Sequence, residues 1–113
     1  MSEPFQLEKT DVIDLVALSA TGDEIQLCLI ATDQWDAQGN RTLQLQAKLK
    51  NYVAFAVDGQ LERQHPEAKG KRIKIKIDSE YPLGAAERQL IEAARQHWCT
   101  PENIELVVTT RRT

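Results

Sequence analysis

With 113 residues, 42% of them hydrophobic and 27% charged, the chain has the length of one domain and enough apolar content to bury a core without disulfides or metal. That composition is far from the low-hydrophobicity signature of a disordered chain, and no apolar run approaches the roughly 20 residues of a membrane-spanning helix. A formal charge of -3 argues against a dedicated binder of the nucleic-acid backbone, which would need a positive field.

The charge is unevenly distributed along the chain. Residues 1–40 carry eight acids against the single base Lys9, and residues 41–113 carry thirteen bases against nine acids. Folding can bring the two halves together, so a dipole in sequence need not be one in space. The start, Met1-Ser2-Glu3-Pro4, has neither the basic nor the apolar region of a secretory leader, which points to the cytoplasm. Cys28 and Cys99 form no spaced framework, and both read as free, buried thiols.

Residues 1–10 form a polar lead-in. From Asp11 to Leu18 the chain is apolar on both strand faces apart from its two aspartates, as expected of a central strand. Ser19 to Asp23 turns the chain, and a second strand over 24–32 sets Ile25, Leu27 and Leu29 against Gln26 and Cys28 on the other face. These two strands make a hairpin. A helix is expected over 38–58, with Leu45, Leu49, Tyr52, Val53, Ala56 and Val57 as its apolar stripe and Gly59 as its stop.

Residues 60–70 read as a long loop containing His65-Pro66. Arg72-Ile73-Lys74-Ile75-Lys76-Ile77 alternates base with isoleucine, the cleanest strand signal in the chain. Tyr81-Pro82 forces an extended step before a second helix over 84–98, with Ala86, Leu90, Ala94, His97 and Trp98 on one side. Ile104 to Thr110 is the last strand. The order ββαβαβ predicts one α+β domain: a two-layer sandwich with a four-stranded mixed sheet, both helices on one face and residues 11–18 central. The other face, bearing Lys74 and Lys76, is then open to solvent or a partner.

Val12-Ile13-Asp14-Leu15-Val16-Ala17-Leu18, the segment Leu43 to Gln60, Pro66-Glu67-Ala68-Lys69-Gly70 before the basic alternation, and Tyr81-Pro82 occur in an order that resembles an uncharacterised bacterial domain-of-unknown-function family, DUF6572. The resemblance covers roughly residues 11–110. It implies a bacterial cytosolic protein and brings no activity or catalytic residues with it. In that pattern an Asp-His-Leu run tends to precede the Trp, and a Tyr often stands before the Pro. Here Asp33-Gln34-Trp35 and His65 replace them.

Four groups of residues carry candidate chemistry. Asp33, Trp35 and Asp36 fall where the second strand gives way to the first helix and could line a ligand site, although acids near a helix start are ordinary caps. His65, His97, Cys28 and Cys99 are the only His and Cys residues, and their spacing fits no zinc motif. His97 and Cys99, two apart on a helix, do not face each other as base and nucleophile. No serine lies in a nucleophile-elbow context, and no glycine-rich phosphate loop is present.

The basic run Lys69, Lys71, Arg72, Lys74 and Lys76 would project charge from a sheet face, but no aromatic residue alternates with it to stack on bases. Asp14 is the odd residue of an apolar strand. A carboxylate buried there needs a partner, from a neighbouring strand or across a subunit interface. These readings lead to a non-catalytic binding or protein-interaction domain, possible as a homo-oligomer, with no cofactor or metal. The alternative is a small hydrolase-like enzyme with its site between Asp33, Trp35, Asp36 and His65.

Overall fold

A computed structural model describes residues 13–32, 34–35 and 38–111. Strands β1 (Leu15–Leu18) and β2 (Glu24–Ala31) form a hairpin, α1 (Asn40–Val57) and the short α2 (Gln60–Gln64) follow, and β3 (Arg72–Ser79), α3 (Ala85–Ala94) and β4 (Ile104–Thr110) complete the chain. The sheet order is β1-β2-β3-β4. β1 runs antiparallel to β2, whereas β2–β3 and β3–β4 are parallel. Each parallel step needs a crossover, and α1 and α3 supply the two. The four-stranded mixed α+β sheet is the one expected.

Alternation in the strands decides which face the helices cover. Ile25, Leu27 and Leu29 of β2 share one buried cluster with Ile75 and Ile77 of β3 and Ile104 and Leu106 of β4. Leu45, Leu49, Tyr52 and Val53 of α1 and Ile91 and Ala94 of α3 belong to the same cluster. Both crossovers therefore lie on that face, and at about 25 cal/mol per Å² this burial is the main stabilising term. Gln26, Cys28, Lys74, Lys76, Glu105 and Val107 point to the opposite face, which carries no helix among the described residues.

The first strand is not central. β1 lies at a sheet edge, because its hairpin partner β2 gives its other side to β3. Its apolar character on both faces has two causes: Val16 packs against the core, and Leu15, opposite Cys28, lies on the helix-free face. Residues 11 and 12 lie outside the described residues. The expected loop over 60–70 also differs, since Gly59 at φ 95° turns the chain into α2 and a 3₁₀ turn follows at Pro66–Ala68. Leu61 and Ala68 are buried there, which is what holds those turns down.

The second helix changes pitch after Ala94, where Arg95–Cys99 forms a π turn. Widening the turn shifts the phase of the stripe. Cys99 is therefore buried and His97 exposed, whereas ahead of the turn the buried residues are Glu87, Ile91 and Ala94, with Ala86 exposed one position off that stripe. In α1, Phe55 is buried and Val57 is exposed.

Candidate functional site

The acids of the first forty residues that lie among the described residues are paired by folding. Asp23 pairs with Arg72 at 3.2 Å, and Lys74 lies 3.4 Å from Glu24 and 3.8 Å from Glu105. Lys71 donates its ammonium to the Gly22 carbonyl at 2.5 Å. The expected interaction face of Lys71, Arg72, Lys74 and Lys76 is thus largely answered by acids and carbonyls of the same chain. Lys76 lies between Cys28 and Val107 in the register, and among the described residues it has no ion-pair partner.

Asp14 finds its partner within the chain, on the helix layer. Its Oδ1 is 2.8 Å from Lys48 Nζ, and the two side chains are 1% and 0% exposed. Its Oδ2 accepts the Ile30 N–H at 2.9 Å. Tyr52, one turn after Lys48 on α1, accepts the Asp14 N–H and donates to the Cys28 carbonyl, both at 2.8 Å. The hydroxyl and the carboxylate continue the β1–β2 ladder where its backbone pairing ends. This triad satisfies its polar groups as a buried network must, and an interface between subunits is not needed to explain Asp14.

Burial sets the titration of the groups around it. The Tyr52 hydroxyl is pushed well above its ordinary range, first by desolvation and then by the charge of Asp14. Desolvation likewise raises the Cys28 thiol, against the lowering effect of Lys76, and the Cys99 thiol, against Arg95. Both cysteines are free, and raised thiols are weak nucleophiles.

Trp35 lies where the β2–α1 connection passes the carboxyl end of β3. Its Nε1–H donates to Ser79 Oγ at 3.2 Å, and that hydroxyl donates to the Tyr81 carbonyl at 2.6 Å. A groove of about 560 Å³ opens beside it, walled by Trp35, Thr42, Tyr81, Pro82 and Glu87. This is the end of a parallel sheet at which ligands commonly bind. Asp33 and Asp36 lie outside the described residues. Nor does His65 join Trp35: it follows α2 at the amino end of β3, and its Nδ1 lies 3.2 Å from Glu67.

Among the described residues Glu87 is the one buried carboxylate in the groove wall. Its Oε1 accepts the Gly84 N–H at 2.8 Å and its Oε2 accepts the Thr42 hydroxyl at 2.5 Å, so it caps α3 and ties α1 to it. Gly84 is needed for this, because a Cβ at that position would stand 2.7 Å from Oε1. Gly84→Ala is expected to displace the carboxylate and cost about 1 kcal/mol, opposite in sign to the usual gain from removing a glycine. Urea denaturation of the variant measures it.

The metal candidates are scattered. Cys28 is on the helix-free face, Cys99 is buried in the helix layer, His97 is exposed and His65 lies at the far end of the sheet. Among the described residues no three His, Cys, Asp or Glu side chains are grouped to hold a metal ion. No helix among them is long and apolar enough to cross a membrane.

Two features escaped the sequence reading. Lys48 occupies a position of the buried stripe of α1, three residues after Leu45 and four before Tyr52, and a lysine at such a spacing was the available signal for the partner of Asp14. The edge of β4, which no other strand among the described residues pairs, is the other. Arg111 N–H bonds the Ser79 carbonyl at 2.9 Å, which sets the phase of the parallel ladder and turns the backbone groups of Leu106, Val108 and Thr110 away from β3. Arg95 donates from Nε and Nη2 to the Leu106 carbonyl at 3.2 and 3.1 Å, as expected for a carbonyl on the outer edge.

No curated protein and no solved structure matches the chain. Residues 5–111 match the model of DUF6572, a family of unknown function, and the chain belongs to that family.

Proposed function

We propose that this member of DUF6572 is a non-catalytic protein-interaction domain that self-associates in the cytoplasm through the outer edge of β4 and the helix-free face beside it. The observation that carries this reading is the asymmetry of the two sheet edges. β1 is four residues long, and β4 is seven, Ile-Glu-Leu-Val-Val-Thr-Thr. That sequence holds no proline, no lysine and one acid, and is high in β-propensity, so its outward N–H and C=O groups form a template for another strand.

The face beside the edge supports a protein partner over a polyanion. Its Arg72 and Lys74 already sit against Asp23, Glu24 and Glu105, and the row Leu15, Cys28, Lys76 and Val107 is apolar in three of its four members. Free cysteines suit a reducing compartment. The hydrolase alternative gains no support from the geometry, because Trp35 and His65 are at opposite ends of the sheet.

An amide spectrum recorded through a dilution series tests this reading. Signals of Val108, Thr110 and their neighbours on the helix-free face are expected to move with concentration while those of the outer face of α1 stay fixed. A spectrum unchanged over the series would remove self-association.

A further inference from the structure

We infer that two copies of this chain join β4 to β4 antiparallel, about a two-fold axis at Val108, to make one continuous eight-stranded sheet. This deepens the interaction reading and rests on it. The backbone groups of Leu106, Val108 and Thr110 face outward, so an antiparallel partner centred on Val108 meets Val108 with Val108 and Leu106 with Thr110 in hydrogen-bonded pairs, about six ladder bonds in all. A two-fold contact must be self-complementary in this way.

Charge selects the register. On the helix-free face the same axis puts Val107 opposite the partner's Thr109 and Glu105 opposite the partner's Arg111, twice by symmetry. The Glu105 side chain is 59% exposed and the Arg111 side chain 62%. Arg111 already uses Nε and Nη2 on Asp78, and its Nη1 is the donor left to point along the edge. Moving the axis to Thr109 would set Val107 against the partner's Arg111, and moving it to Val107 would set Glu105 against the partner's Thr109. Of these three, the axis at Val108 alone matches an acid with a base.

Arg95 shares an acceptor with this arrangement. It reaches the Leu106 carbonyl from the helix layer and is held on its other side by Glu92. A carbonyl oxygen has two lone pairs and both face Arg95 donors, so the partner's Thr110 N–H bonds Leu106 by taking the place of one of them. Leu83, Ile91 and Val108 border a shallow groove of about 220 Å³ between α3 and this edge, where the core-facing side chains of the second strand would rest.

A charge-swap mixing experiment tests the register. Glu105→Arg puts Arg against Arg in its own homodimer, and Arg111→Glu puts Glu against Glu, so each variant alone is expected to associate about tenfold more weakly than the parent chain. Mixed one to one, the two variants match both pairs again and recover the parent affinity by sedimentation equilibrium. Misfolding cannot produce that rescue. Val108→Pro is the second variant: it removes an outward N–H and leaves the β3 ladder intact, so the far-UV circular dichroism should hold while the dimer is lost. A dimer that survives Val108→Pro, with a mixture no tighter than its components, would overturn the edge arrangement and leave the interaction reading standing. A parent chain that stays monomeric at every concentration would overturn that reading itself.

Discussion

Replacing Lys48 by methionine is expected to cost about 3–5 kcal/mol of folding stability, as for other buried ion pairs stripped of one partner. Lys48 and Asp14 are both removed from water and 2.8 Å apart, so the variant leaves the carboxylate in an apolar layer between α1 and the sheet. Desolvating that charge is the larger part of the effect, and the loss of attraction is the smaller. Adding Asp14→Asn should restore most of the stability, since the amide oxygen can keep the Ile30 N–H while the charge is gone. Urea denaturation of the two single variants and the double gives the coupling directly. If Lys48→Met costs less than about 1 kcal/mol, the value of a surface pair, the pair is not buried as described.

The second expected result is alkaline lability centred on Tyr52. Its hydroxyl, with an ordinary pKa of 10.0, is raised in the folded state by burial. Above pH 10 the unfolded chain releases this proton and the folded chain keeps it. The contribution of this group is therefore full below pH 10 and falls above it, by about 1.4 kcal/mol per pH unit. The thiols of Cys28 and Cys99, raised from 9.0, act in the same direction and start the decline near pH 9. Tyr52→Phe should cost about 1–3 kcal/mol at neutral pH, by stranding the Asp14 N–H and the Cys28 carbonyl. Its stability should then decline less steeply above pH 10. Parallel slopes for parent and variant would show that Tyr52 titrates in the folded chain much as it does in the unfolded one.

Both results concern contacts that local pattern could not supply. Alternation made β3 legible, since Ile73, Ile75 and Ile77 can only share a face, and the same rule gave the two faces of β2. Crossover sterics then placed both helices on one side. What local pattern lacks is the identity of neighbours. β1 is apolar on both faces, as a central strand is, and only the parallel pairing of β2 with β3 shows that it stands at the edge. The stripe of α1 was visible through its leucines, and Lys48 within it was passed over because a lysine is usually solvated. Beyond Ala94 the period itself changes, so a stripe drawn at 3.6 residues places His97 inward, where the π turn turns it out.

The candidate site divides in the same manner. Trp35 was legible as a residue at the strand-to-helix junction, and the groove beside it lies at that junction. Its distance from His65 depends on α1 carrying the chain back across the sheet before His65 is reached. The lysine face was legible as a stripe, whereas the pairing of its Arg72 and Lys74 with Asp23, Glu24 and Glu105 required the register of β2 and β4 on β3. The outward phase of β4 rests on the Arg111 to Ser79 bond, a single contact between residues more than thirty apart in the chain.

Light scattering on the parent chain through a concentration series tests most directly whether this sheet is a surface for association. The mass is expected to rise from that of one chain toward that of two as concentration increases, and to stay at one chain throughout for Val108→Pro. A single-chain mass for the parent at every concentration would contradict it.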